Sequence, residues 1–94
     1  PKVEFEIKND ILKINKFSAE ARIKGKYEYS GIEAFSMLLV DYSYDGNVFS
    51  MDDVFYHDEF ENNSIKLPYT KIVNQAMLIF IDKFGNEYRT TYGG

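Results

Sequence analysis

The 94-residue chain is expected to fold as an all-β domain, and three observations carry that expectation. Apolar and charged residues alternate with a period of two, turn-forming residues recur at short intervals, and no stretch shows the apolar spacing of a helix. The strongest pattern is a shared ending. Met37-Leu38-Leu39-Val40 runs into Asp41 and then Tyr44-Asp45-Gly46-Asn47, while Ala76-Met77-Leu78-Ile79-Phe80-Ile81 runs into Asp82 and then Lys83-Phe84-Gly85-Asn86. In each, the carboxylate is placed to accept backbone N–H bonds across a turn, and glycine supplies the positive φ of a tight reversal. Both are therefore expected to be hairpins.

The elements follow in order. Val3, Phe5 and Ile7 alternate with Glu4, Glu6 and Lys8, which marks a half-buried strand that Asn9-Asp10 ends. Residues 11–17 and 19–29 are expected to be two further strands; Ala21 and Ile23 face one way, Arg22 and Lys24 the other, and Ser30-Gly31 breaks the pattern. Residues 35–44 form the first central strand, and 48–56 hold one or two short strands with Asp52-Asp53 between them. Asn62-Asn63 turns the chain, 64–67 is a short strand, and Pro68 marks an edge or loop because it cannot donate to a ladder. Residues 76–82 and 87–92 close the domain as a hairpin. About seven to nine short strands with turns between them is the pattern of an immunoglobulin-like antiparallel β-sandwich.

Size limits the organisation to a single domain over 1–94, within the usual range of about 50 to 200 residues per domain. Because the chain opens on Pro1 and closes on Tyr92-Gly93-Gly94, it is expected to be a piece of a longer polypeptide. Cysteine is absent, so a disulfide framework and a thiolate metal site are excluded, and a cytoplasmic location is expected. The apolar run over 76–81 is far shorter than the roughly 20 residues that span a bilayer as a helix.

Net charge is −4, which disfavours autonomous nucleic-acid binding, since lysine and arginine supply the non-specific affinity for phosphate. The charge is unevenly spread. Lys13, Lys16, Arg22, Lys24 and Lys26 gather early, whereas 27–65 contain no Lys or Arg. Arg22, Lys24 and Lys26 are the candidate DNA contacts.

The central strands are apolar on both faces. If Ala76, Leu78 and Phe80 point into the core, then Met77, Ile79 and Ile81 point outward, and Leu38, Val40, Tyr42 and Tyr44 are expected to join them on the neighbouring strand. A strand apolar on both faces is usually covered on both. Met77, Ile79, Ile81, Leu38 and Val40 are the expected interface with another domain or a partner subunit, the alternative being that loops of the same chain cover this face. Ile79 is expected to tolerate substitution in the isolated domain.

No catalytic residue is expected. His57 is the sole histidine and has no cysteine or Ser-His-Asp pattern near it, and is expected on an exposed loop beside Asp58 and Glu59. Asp52 and Asp53 are adjacent on a turn and are expected to point apart, unlike the carboxylate pair of a glycosidase. One spacing matches a calcium loop: Asp41, Ser43 and Asp45 with Gly46 sixth and Asp52 twelfth. A strand rather than a helix precedes it, so a turn held by Asp41 and Asp45 is favoured over a metal site. The aromatics Tyr42, Tyr44, Phe49, Phe55, Tyr56 and Phe60 lie among these acids, where β-propensity accounts for them more simply than a sugar or peptide platform.

The segment from Ser36 through Asp41-Tyr42-Ser43-Tyr44-Asp45-Gly46-Asn47 to Phe49, with Asp53-Val54-Phe55, and the segment from Met77 through Asp82-Lys83-Phe84-Gly85-Asn86 to Glu87 together resemble a known domain. It is the C-terminal β-domain of bacterial adenine-specific DNA methyltransferases of type III-like restriction-modification systems. The resemblance covers roughly the last two thirds of the chain. Such enzymes use an Asp-Pro-Pro-Tyr-type catalytic motif and a Phe-x-Gly-x-Gly-type cofactor loop, and this sequence contains neither. The resemblance thus implies a non-catalytic accessory domain with no cofactor of its own. S-adenosylmethionine binding and methyl transfer would belong to the parent, and the domain's partners would be other parts of that parent or a partner subunit, with DNA contacted weakly. The competing expectation is a stand-alone immunoglobulin-like module of a surface or secreted protein that binds calcium or a glycan.

Overall fold

The computed structural model describes the backbone of residues 1–22 and 26–93, and side chains outside 20–30 and 69. It is all-β, two four-stranded antiparallel sheets packed on one apolar core. One sheet is built on the long strand β2 (Ile11–Arg22), which pairs along one side with β1 (Lys2–Lys8) and along the other with β3 (Lys26–Ser30) and β6 (Ser64–Lys66). The second has the order β5-β4-β7-β8, from β5 (Asp53–Tyr56), β4 (Phe35–Asp41), β7 (Gln75–Asp82) and β8 (Glu87–Gly93). Apart from strands, the described residues form short 3-10 turns at Ile32–Ala34, His57–Glu59 and Tyr69–Lys71, and no helix is long and apolar enough to cross a membrane.

Local chemistry explains the reversals. Asn9 and Asp10 have φ of 49° and 60° between the paired Lys8 and Ile11, the two positive values of a type I′ hairpin, and Asn and Asp tolerate that region. Asn62 and Asn63 repeat the device at 50° and 63°, with Glu61 and Ser64 exchanging backbone bonds of 2.9 Å across them. The strands expected at 11–17 and 19–29 divide differently: β2 continues through Ser18 to Arg22, and β3 pairs back on it. Between Asp41 and β5, residues 42–52 form a long connection rather than a second tight hairpin.

Two β-bulges set which residues enter the core. In β2 the register with β1 slips at Asn15, so Ile14 and Phe17 both turn inward while Lys16 stays opposite Glu4 outside. In β4 it slips at Ser36, so Phe35 lies inward opposite Asp82 and Met37 lies outward opposite Ile81. Phe35 then anchors an aromatic cluster, with ring centroids 5.0 Å from Phe60, 5.4 Å from Phe17 and 6.3 Å from Phe80. Edge-to-face and tilted pairs of this kind add to burial.

Candidate interaction surface

The registers of the second sheet generate its outer face row by row. Tyr56, Met37, Ile81 and Glu87 form one row, Val54, Leu39, Ile79 and Arg89 the next, and Asp41, Met77 and Thr91 a third. Seven of these are apolar and lie on β5, β4 and β7; the β8 positions are polar. The inner face has Phe55, Leu38, Phe80 and Tyr88 in one row and Val40 beside Leu78 in another. The other sheet contrasts sharply. Its outer positions pair Lys2 with Ser18, Glu4 with Lys16, Glu6 with Lys13 and Lys8 with Ile11, and Lys66 continues that last row on β6. Lys16 Nζ lies 3.7 Å from Glu4 Oε2 on this charged face, which water solvates without cost.

Ala76, Leu78 and Phe80 are core, and Met77, Ile79 and Ile81 are on the outer face. Leu38 and Val40 correct the expected interface: they pair with Phe80 and Leu78 and are fully buried in the core. Cross-strand partners share a face, so the outward residues of β4 are Met37 and Leu39 instead. Ile79 also departs from expectation, being only 2% exposed on the outer face, where Leu39 and Arg89 flank it. The accessible part of the patch is formed by half-buried Met37, Leu39, Val54 and Ile81 and by Tyr56, which is 53% exposed.

Its upper end is closed by the chain itself. Asp41 Oδ2 accepts a 2.9 Å bond from Ser50 N–H, drawing residues 48–52 back toward β4, and Oδ1 accepts 3.0 Å from Ser43 N–H. Asp45 Oδ1 accepts from Asn47 N–H at 2.8 Å and Val48 N–H at 2.9 Å, and these bonds, Val48 first, hold its carboxyl below the usual carboxylate range. Asp52 Oδ2 accepts 2.8 Å from Tyr42 N–H. Three of the four candidate calcium ligands thus hold backbone groups, and among the described residues no three His, Asp or Glu side chains gather as a metal-binding group.

Asp52 and Asp53 take opposite ends of Tyr42: its backbone N–H donates to Asp52 Oδ2 and its hydroxyl donates 2.7 Å to Asp53 Oδ2, while Lys71 Nζ sits 5.8 Å from its ring centroid. Burial, and then the Asp53 hydrogen bond and the nearby negative charge, raise the Tyr42 phenol well above its ordinary range. These groups border a small surface cleft of about 360 Å³. A larger groove of about 590 Å³ lies over the β2 bulge, with Val3, Ile14, Phe17 and Ile32 beneath and Lys2 and Lys16 at the rim.

His57 is half-buried rather than exposed. Its Nδ1 is 2.8 Å from Phe35 O, so Nδ1 carries the proton and donates, and the ring stacks on Phe35 at 6.2 Å. Of the acid-flanked aromatics, Tyr42 is buried, Phe55 and Phe60 pack on the core, Tyr44 and Phe49 are half-buried, and Tyr56 is exposed. Arg22 and Lys26 are register partners across β2 and β3; Lys24 lies outside the described residues. The sequence pattern gave no sign of the Ser36 bulge, which is what turns Met37 outward.

The fold and this face define a β-sandwich with one solvated charged face and one apolar face. Compared with known protein families, curated proteins and solved structures, the chain matches none.

Proposed function

We propose that the chain is a non-catalytic accessory domain of a cytoplasmic DNA adenine methyltransferase of a restriction-modification system, and that it docks through the outer face of the β5-β4-β7-β8 sheet. The observation carrying the docking role is the inequality of the two outer faces: the β1-β2 sheet presents Lys2, Glu4, Glu6, Lys13 and Lys16, whereas this one presents Met37, Leu39, Val54, Tyr56 and Ile81. An apolar patch bounded by polar residues is the usual mark of a contact surface. The methyltransferase assignment rests on the resemblance of the Asp41 and Asp82 segments. Catalysis and S-adenosylmethionine then belong to the rest of the polypeptide, and Arg22, Lys24 and Lys26 supply a weak, salt-sensitive contact to DNA.

The test uses the full-length polypeptide. Transfer of a labelled methyl group from S-adenosylmethionine to adenine in duplex DNA is expected, and its absence removes the methyltransferase reading. Tyr56→Glu and Ile81→Lys are expected to release the domain, seen as faster hydrogen exchange and proteolysis at β4 and β5. Unchanged protection in both variants removes the docking reading.

A further inference from the structure

We propose that the occupant of this face is a second copy of the same sheet, packed face to face about a two-fold axis perpendicular to the strands. This deepens the docking reading above and rests on it. The geometry that points to a second copy is the charged border. Glu87 and Arg89 project on the same side of β8 in successive rows, and are joined at 2.9 Å between Glu87 Oε1 and Arg89 Nε. A two-fold axis placed between those rows exchanges them. Glu87 of each copy then lies over Arg89 of the other, Ile81 over Ile79, Met37 over Leu39 and Tyr56 over Val54.

The alternative two-fold, parallel to the strands, lays β8 of one copy over β5 of the other. It would put Arg89 against Val54 and Glu87 against Tyr56, taking the Glu87–Arg89 ion pair out of water beneath largely apolar side chains with no opposite charge added across the interface. Only the perpendicular axis keeps apolar rows on apolar rows and charges of opposite sign opposed. Stacked sheets lie about 10 Å apart, a gap that Glu and Arg side chains projecting from both sides can bridge. An isologous contact of this kind requires one self-complementary patch, and the alternation of sign along β8 supplies it.

The experiment is sedimentation equilibrium of the 94-residue chain from micromolar to millimolar concentration. A monomer–dimer equilibrium is expected. Arg89→Glu and Glu87→Arg each place like charges opposite one another and are expected to weaken dimerisation about tenfold or more. The double reversal E87R/R89E restores the alternation and is expected to return the dissociation constant to the unsubstituted range. Both positions are exposed, so the thermal midpoint of each variant should stay close to that of the unsubstituted chain. A chain that is monomeric throughout, single reversals without effect, or a double reversal that fails to restore pairing each overturn the proposal. Such a result is separable from failure of the docking reading, which the Tyr56→Glu and Ile81→Lys variants of the full-length polypeptide decide.

Discussion

Asp82 is only 1% exposed, and its Oδ1 accepts from Phe84 N–H at 2.8 Å and Asn86 N–H at 2.9 Å, while its Oδ2 is buried without a protein hydrogen-bond partner among the described residues. Those two bonds, with Gly85 at φ 86°, form the β7–β8 turn. Asp82→Ala should therefore destabilise the fold by about 1.5 to 3 kcal/mol, the cost of losing charge-assisted bonds, as read by urea unfolding. Asp82→Asn keeps the accepting oxygen and removes a buried charge, so it should cost less; equal losses in the two variants would contradict that account. Tyr42 gives a pH signature. Its folded-state pKa is raised, so the phenol stays protonated in the folded chain after it has ionised in the unfolded one. The folded state then binds more protons, and stability should fall as pH climbs above about 10. Tyr42→Phe should remove that part of the alkaline decline while costing about 1 to 3 kcal/mol at neutral pH through the lost bond to Asp53. A decline of the same size in both proteins would assign it to other groups.

The informative element is β7, which is buried along both faces for different reasons. Leu78 lies in the core between the sheets, whereas Ile79 lies on the outer face, opposite Leu39 and Arg89, and is only 2% exposed. Leu78→Ala should cost about 2 to 5 kcal/mol in transfer energy and residual cavity. Ile79→Thr, against the expectation from alternation alone, should also cost a measurable amount in the isolated chain, though less than Leu78→Ala, because Thr keeps the β-branched stem of Ile whereas Leu→Ala removes three buried carbons. Chemical denaturation of the two variants decides it, and Ile79→Thr costing more than Leu78→Ala would reverse the assignment of faces. The faces of β7 were legible in the sequence once Leu78 was taken as core. Those of β4 were not, because its run of apolar residues carries no alternation and the Ser36 bulge changes which parity faces inward.

For the molecule as a whole, residues of both sheets join in one core, with Leu12, Ile14 and Phe17 from one and Leu38, Leu78 and Phe80 from the other. Unfolding should accordingly be a single cooperative transition, with far-ultraviolet dichroism and tyrosine fluorescence coincident in denaturant; separate midpoints would show that the sheets unfold independently. The sequence by itself determined the all-β class, the Asn9-Asp10 and Asn62-Asn63 reversals and the carboxylate-held Asp82 turn, since each depends on residues close along the chain. The tertiary structure alone decided the rest. Asp41 and Asp82 close their strands with the same local chemistry, yet Asp41 falls in an outer row and Asp82 lies opposite core-facing Phe35, because cross-strand register and bulges assign a residue to a face. Register arises from pairing residues far apart in the chain, so which apolar residues of β4 form the core and which form the exposed patch became fixed only when β4 paired with β7.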